Sequence, residues 1–360
     1  MKKKLLKILF IVCLVPLISM ANTDPIKGKY DKTKTIKKEF KVNANALVKI
    51  NNKYGNLDVI TWNENRVVIE VKITVSGNSE DKVKSRLDKI DVVFNASMSQ
   101  VSAKTTIEKS SSNWFGNNNN MNYQIDYTVK MPVTNDANLV NDYGTITLNE
   151  LKGVANINCD YGKILIGNLL HADNKINMDY TSNSEIEFMN SGTIRADYSK
   201  LRVVKAKKIE LIADYTNTVF ENIEDLDFNC DYGKIEVEKG NNINGNGDYL
   251  TMRFGELFKK LEVDADYGSI RINKLMKGFE SVKINSDYTG IKIGLDNDIS
   301  FKFIAKLSYA GFDIDNDNVN YTKKIVKSSS KYYEGYVNQE NSSSSIEIDS
   351  EYGSVKMSNN

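Results

Sequence analysis

Histidine and proline are almost missing from this chain: its 360 residues include one His and three Pro. A single imidazole excludes a multi-histidine metal centre and leaves His171 alone to serve any histidine-based triad. A basic excess is missing too. Lys and Arg number 48, Asp and Glu 47, for a formal net charge of +1, which is not the electrostatic footprint of a nucleic-acid surface. Beyond the first 21 residues no apolar run is long enough to cross a membrane as a helix. With 41% hydrophobic and 26% charged residues, the composition points to a folded domain and away from a disordered or multi-span membrane chain.

Residues 1–21 have the pattern of a secretory signal peptide. Lys2, Lys3 and Lys4 open it, Leu5 to Met20 is mostly apolar, and Ser19 and Ala21 place small residues before Asn22. Cys13 follows Ile11-Val12 instead of the small residues of a lipid-anchor site, so soluble export is favoured over a lipoprotein. Without these residues 44 basic face 47 acidic side chains. The expected location is the periplasm, the cell surface or the medium, with no transmembrane segment in the mature chain.

What is abundant is one dipeptide. Asp-Tyr recurs nine times at near-regular spacing, with its tyrosines at Tyr143, Tyr161, Tyr180, Tyr198, Tyr215, Tyr232, Tyr249, Tyr267 and Tyr288. Successive spacings are 18, 19, 18, 17, 17, 17, 18 and 21 residues, and such self-similarity marks a stacked repeat. Tyr54, Tyr309 and Tyr352 sit in degenerate copies. Two and four residues before each tyrosine the chain is mostly apolar or small, as at Ile157 and Cys159. Three and five residues after it the chain is apolar again, as at Ile164 and Ile166. Each pair has period two, so each marks a short strand with one buried face. The parity changes from even to odd offsets, so a bend lies between, and the residue after the tyrosine is usually small, as at Gly144, Gly162 and Thr216. A third apolar mark eight residues on, at Leu151, Leu169 and Leu275, completes the unit.

One such coil cannot bury its apolar side alone, but stacked coils make a continuous core. The expected fold is all-β: a right-handed parallel β-helix, or solenoid, of about 17–21 residues per coil. It spans 136–360, with a polar insertion at 328–345. An N-terminal β-rich segment, 22–135, precedes it and holds one helix. Val83, Leu87 and Ile90, behind a Ser79-Glu80-Asp81 start, place that helix at 79–92. Ser110 to Asn122 reads as a Ser/Asn-rich loop carrying Trp114 and Phe115.

Asn51-Asn52-Lys53-Tyr54-Gly55-Asn56-Leu57-Asp58-Val59, then Trp62, Val67 to Val71, Tyr127 to Pro132 and the D-Y-G-x-I-x-I coils form an ordered set. In this the mature chain resembles the exported bacterial adhesin-type β-helix proteins, a family grouped under a domain of unknown function. The resemblance implies a right-handed single-stranded β-helix in the cell envelope. It carries over no catalytic residue.

Several residues are candidates for chemistry. Asp160, Asp179, Asp197, Asp214, Asp231, Asp248, Asp266 and Asp287, with Asp142, form a carboxylate row recurring about every 4.8 Å if the coils stack. One reading is a Ca²⁺ row assisted by Asn158, Asn177, Asn229, Asn246 and Asn285. The plainer and favoured reading is that each Asp bonds its own corner backbone, with no metal and no cofactor. The tyrosines share the parity of the buried positions before them, so an interior stack is expected ahead of an exposed row that binds glycans. Cys159 and Cys230 lie four coils apart in one column, about 19 Å, too far for a disulfide, and are expected to be free and buried. His171 reads as a turn residue. Trp114 and Phe115 are either partner anchors or tucked onto nearby strands.

The function expected is non-catalytic: an exported adhesin or scaffold that binds an envelope or surface protein or glycan through its repetitive face. A polysaccharide-lyase-like β-helix enzyme is the first alternative, but no coil stands out with a unique cluster of acid, base and cation ligands. A periplasmic stress or signalling accessory is the second.

Overall fold

Alternating apolar and polar residues become strand through almost the whole of the chain. The computed structural model describes residues 28–108 and 121–359, so the signal-peptide reading of 1–21 lies outside the described residues. Among the described residues, 26 strands join in one sheet and a single helix forms. That helix is Glu80–Asp88, shorter than 79–92. Ile90, expected on its apolar face, instead opens the strand Ile90–Ala96, where it is fully buried.

Each Asp-Tyr copy is a strand, a corner and a second strand. In the copy at Tyr161, Ala155–Asp160 leads in and Lys163–Leu169 leads out. Leading strands pair in parallel and in register, so that Asp142, Asp160, Asp179, Asp197, Asp214 and Asp231 are successive neighbours. Trailing strands do the same through Ile166, Ile186, Val203, Phe220, Val237 and Phe254. The inward positions of both strands close into one core. Ile157, Cys159, Ile164 and Ile166 are all at most 2% exposed, and each fully buried aliphatic side chain contributes roughly 1.5–3 kcal/mol relative to exposure.

The tyrosine makes the corner. All twelve repeat tyrosines, Tyr54, Tyr309 and Tyr352 included, have φ between 50° and 63°. That left-handed conformation costs a non-glycine residue on the order of 1–2 kcal/mol. A hydrogen bond to the adjacent repeat offsets part of it. The amide N–H of Tyr161 donates to the carbonyl of Asp179 at 3.0 Å, that of Tyr232 to Asp248 at 3.0 Å, and that of Tyr54 to Asp142 at 2.8 Å. The parallel ladder therefore continues through the bend. The next residue is small or able to bond the backbone in every repeat but one, where Leu250 follows Tyr249. A Cβ on Gly162 would lie 1.9 Å from the carbonyl oxygen of Gly144. Thr216 fits because its hydroxyl donates to Ala196 and Asp214 carbonyls at 2.8 and 2.9 Å.

Order in space departs from order in sequence at both ends. The upstream strand Leu47–Lys53 pairs in parallel with Asp136–Asp142, which places Tyr54 directly beside Tyr143. At the other end Ser345–Glu351 lies between Ser281–Asp287 and Phe301–Ser308, so the Tyr352 copy separates those of Tyr288 and Tyr309. The stretch 328–345, expected as a polar insertion, contains the strand Ser330–Val337, antiparallel to Phe301–Ser308. It covers a sheet edge that would otherwise be open. The antiparallel strands Tyr30–Lys41, Arg66–Gly77 and Asn122–Pro132 flank the opposite end.

Cys159 and Cys230 are buried and unpaired. Burial, the largest cause, pushes both thiols up to about 12. Neither should react with iodoacetamide at pH 8 until the chain is unfolded in denaturant, and mass spectrometry of the unreduced protein should find both as free thiols. Because the folded values lie above those of the open chain, the two groups favour the folded state up to about pH 9. Urea midpoints should fall as pH rises from there towards 12.

Candidate functional site

Side chains alternate along a strand, so the change of parity within each repeat requires two consecutive residues on one side. The structure places that pair at the Asp and the Tyr, both facing out. The residue after them turns inward, with Thr181, Ser199, Thr216 and Thr289 at most 4% exposed. This corrects the expectation that the tyrosines fill the interior. Eleven of the twelve are 44–64% exposed. Tyr54, at the end of the row, is partly covered, with the ring of Tyr123 set edge-on against it at 5.2 Å.

The rings nevertheless stand in single file. In spatial order they run Tyr54, Tyr143, Tyr161, Tyr180, Tyr198, Tyr215, Tyr232, Tyr249, Tyr267, Tyr288, Tyr352 and Tyr309. Neighbouring centroids are 4.8–5.2 Å apart and neighbouring planes within 10°. Such offset stacking contributes about 0.5–1.5 kcal/mol per pair beyond burial. Ring faces are turned towards one another, so the file shows ring edges and hydroxyls to the outside. Among the described residues none of these hydroxyls has a hydrogen-bond partner. Partial desolvation, then adjacent phenols and the flanking carboxylates, raise the phenols of Tyr198, Tyr232 and Tyr288 above the usual tyrosine value. At the first corner Lys53 replaces the Asp. Its ammonium sits 3.4 Å from the Asp142 carboxylate and 5.3 and 5.6 Å from the rings of Tyr54 and Tyr143.

The aspartates run beside the tyrosines as a second file. The carboxylates of Asp197, Asp214, Asp231 and Asp266 reach across to the neighbouring repeat, not to their own corner. Oδ1 of Asp197 accepts from the amide of Asp214 at 3.1 Å, that of Asp231 from Asp248 at 2.8 Å, and that of Asp266 from Asp287 at 3.1 Å. Asn177 donates to Asn158 in the same manner at 2.6 Å. An open groove of about 420 Å³ runs along this flank past Asp231, Asp248, Asp264, Asp266 and Asp287. Among the described residues, no group of three or more His, Cys, Asp or Glu side chains is placed to hold a metal ion. Burial first, then like charge from their neighbours in the file, holds the carboxyls of Asp160 and Asp179 above the usual range.

The remaining candidates are apart from this edge. His171 lies in a turn, where its Nδ1 accepts the amide of Asp173 at 3.0 Å. Trp114 and Phe115 lie outside the described residues.

Two outcomes follow from the corner. Tyr215→Ala removes two stacking contacts and keeps a left-handed residue, so it should cost about 1–3 kcal/mol in urea unfolding. Tyr215→Gly removes the same contacts but relieves the strain, and should be the milder change by about 1 kcal/mol. The raised carboxyls of Asp160 and Asp179 favour folding in acid and oppose it once ionised. Asp160→Asn with Asp179→Asn keeps an acceptor oxygen at each position. The double variant should melt above the parent at pH 7, with the gain shrinking as pH falls towards 3.

No protein-family profile and no curated protein matches the chain. Solved structures similar to it include a proposed cell-adhesion protein from Clostridium sporogenes, at 14% identity over 91% of this chain and 100% of that one, with a TM-score of 0.19. A proposed adhesin from Parabacteroides distasonis matches at 8% identity over 73% and 93%, with a TM-score of 0.35. Another from Parabacteroides merdae matches at 10% over 73% and 92%, with a TM-score of 0.32.

Proposed function

We propose that this chain is an exported, non-catalytic β-solenoid that binds a partner at the cell envelope or surface through its tyrosine edge, with residues 1–21 as its export signal. The observation that carries the reading is the exposed file itself. Large aromatic side chains normally gain by burial, and a contiguous exposed aromatic strip of this size marks an interaction surface. The stack is rigid, because each corner is bonded to the next. It therefore presents its contacts already ordered, which lowers the cost of binding. Near-equivalence of the repeats supports contact spread along a line in preference to chemistry at one point. A catalytic cleft needs unlike groups converging once, whereas here like groups recur in columns.

The winding supports a solenoid as well. Parallel strands one repeat apart, in register on both sides of the corner, are what a wound ribbon produces, and right-handed winding is the default for parallel crossovers.

The test compares the parent with Tyr180→Asn, Tyr198→Asn, Tyr215→Asn, since Asn tolerates the left-handed corner. Immobilised parent should retain a component of envelope fractions that the triple variant binds at least about tenfold more weakly, as expected for loss of three aromatic anchors. Equal retention by both would remove the tyrosine edge from the function. Turnover of any member of a polysaccharide panel by the parent would replace the binding reading with an enzymatic one.

A further inference from the structure

We infer that the partner of the tyrosine file is a second copy of this chain, lying alongside the first and pointing the same way. The inference rests on the reading of the file as a binding edge and names what occupies it.

Period is the first argument. The rings repeat at 4.8–5.2 Å because that is the separation of hydrogen-bonded strands. A partner touching ring after ring must share that repeat. Another copy shares it by construction and stays in step along the whole file. The same matching underlies dry, interdigitated interfaces between paired β-stacks. The hydroxyls are the second argument. They have no partner among the described residues, and a phenol both donates and accepts, so two facing files can satisfy each other.

Charge sets the direction. Immediately before the tyrosine, ten repeats carry an acid, from Asp142 to Asp287 together with Glu351. Behind this row stand Asp264 and Asp349. On the trailing side, Arg253, Arg271, Lys292 and Lys356 follow one another in one register position, which carries Glu185, Arg202, Val219 and Glu236 before them and Asp313 after them. A two-fold axis parallel to the file brings the acidic flank of each copy against the basic flank of the other. An antiparallel arrangement sets like charge on like. Complementary flanks favour the first and oppose the second. The area is sufficient: a buried tyrosine covers roughly 150–250 Å², so eleven half-exposed rings offer on the order of 1,000 Å² against about 800 Å² per partner in a standard interface.

Sedimentation equilibrium of the exported chain should show a dimer at micromolar concentration that weakens as salt rises from about 0.05 to 0.5 M. The tyrosine triple variant, with unchanged circular dichroism, should dissociate at least about tenfold more readily. Two charge variants test the direction. Asp264→Lys with Asp349→Lys, and Arg271→Glu with Lys356→Glu, should each be monomeric alone and form a mixed dimer when combined. A parent that remains monomeric at about 100 μM, well above typical dimer constants, overturns the inference. So does a mixture of the charge variants that fails to pair. If the parent is monomeric while tyrosine-dependent retention from envelope fractions persists, the binding edge stands and only the identity of its occupant falls.

Discussion

At every corner the backbone turns on a tyrosine held at φ near 50–60°, and at all but the last, Tyr309, the amide of that residue donates to the carbonyl of the adjacent repeat. The conformation and the bond require each other. A left-handed residue is unfavourable for tyrosine taken alone, and a bend in a parallel ladder would ordinarily leave the amide at its apex unpaired. Joined, they turn the strand without interrupting the ladder. The other regularities follow. The bend uses up one step of alternation, which sends aspartate and tyrosine outward together and the next residue inward. Fixed spacing between repeats then brings the rings to stacking distance, and ring contact supports the strained backbone beneath it.

Within the Asp-Tyr repeats, period, strand positions and the buried columns were legible in the sequence, because each depends on alternation within a single copy. Ile157, Cys159, Ile164 and Ile166 are inside, as their spacing implies. The side taken by tyrosine was not legible. Apolar marks at even offsets before it and odd offsets after it require one irregular step, but several placements of that step satisfy the pattern. The buried threonines and serine that follow the tyrosine decide among them, and they are polar residues that composition assigns to the surface. The strand Ser330–Val337 was obscured by the serines on either side of it, although Tyr332, Tyr333, Tyr336 and Val337 within it carry strand-forming character. The adjacency of Tyr54 to Tyr143, across 88 intervening residues, leaves no mark in local pattern at all.

Repetition also distributes electrostatic load. A row of carboxylates one strand apart is unfavourable in isolation, yet each oxygen that accepts a neighbouring amide gains a compensating partner. The leading side carries an acid beside almost every tyrosine, and four of these, Asp197, Asp214, Asp231 and Asp266, bond the backbone of the next repeat, whereas on the trailing side Arg253, Arg271, Lys292 and Lys356 follow one another without that duty. Buried groups are chemically quiet by contrast: the two thiols are held protonated by the apolar column that contains them.

The placement of Ser345–Glu351 between two strands that precede it in the chain bears on assembly. A polypeptide emerging amino end first can add its repeats one upon another only as far as Tyr288. The next segment to arrive belongs one position further along, and the vacant berth is filled by Ser345–Glu351, threaded in after the hairpin that follows Tyr309 has been made. The strand Ser345–Glu351 works as a clasp. Closing it necessarily comes after the segment between Tyr288 and Ser345 has been made, and it joins Phe301–Ser308 to the body of the molecule.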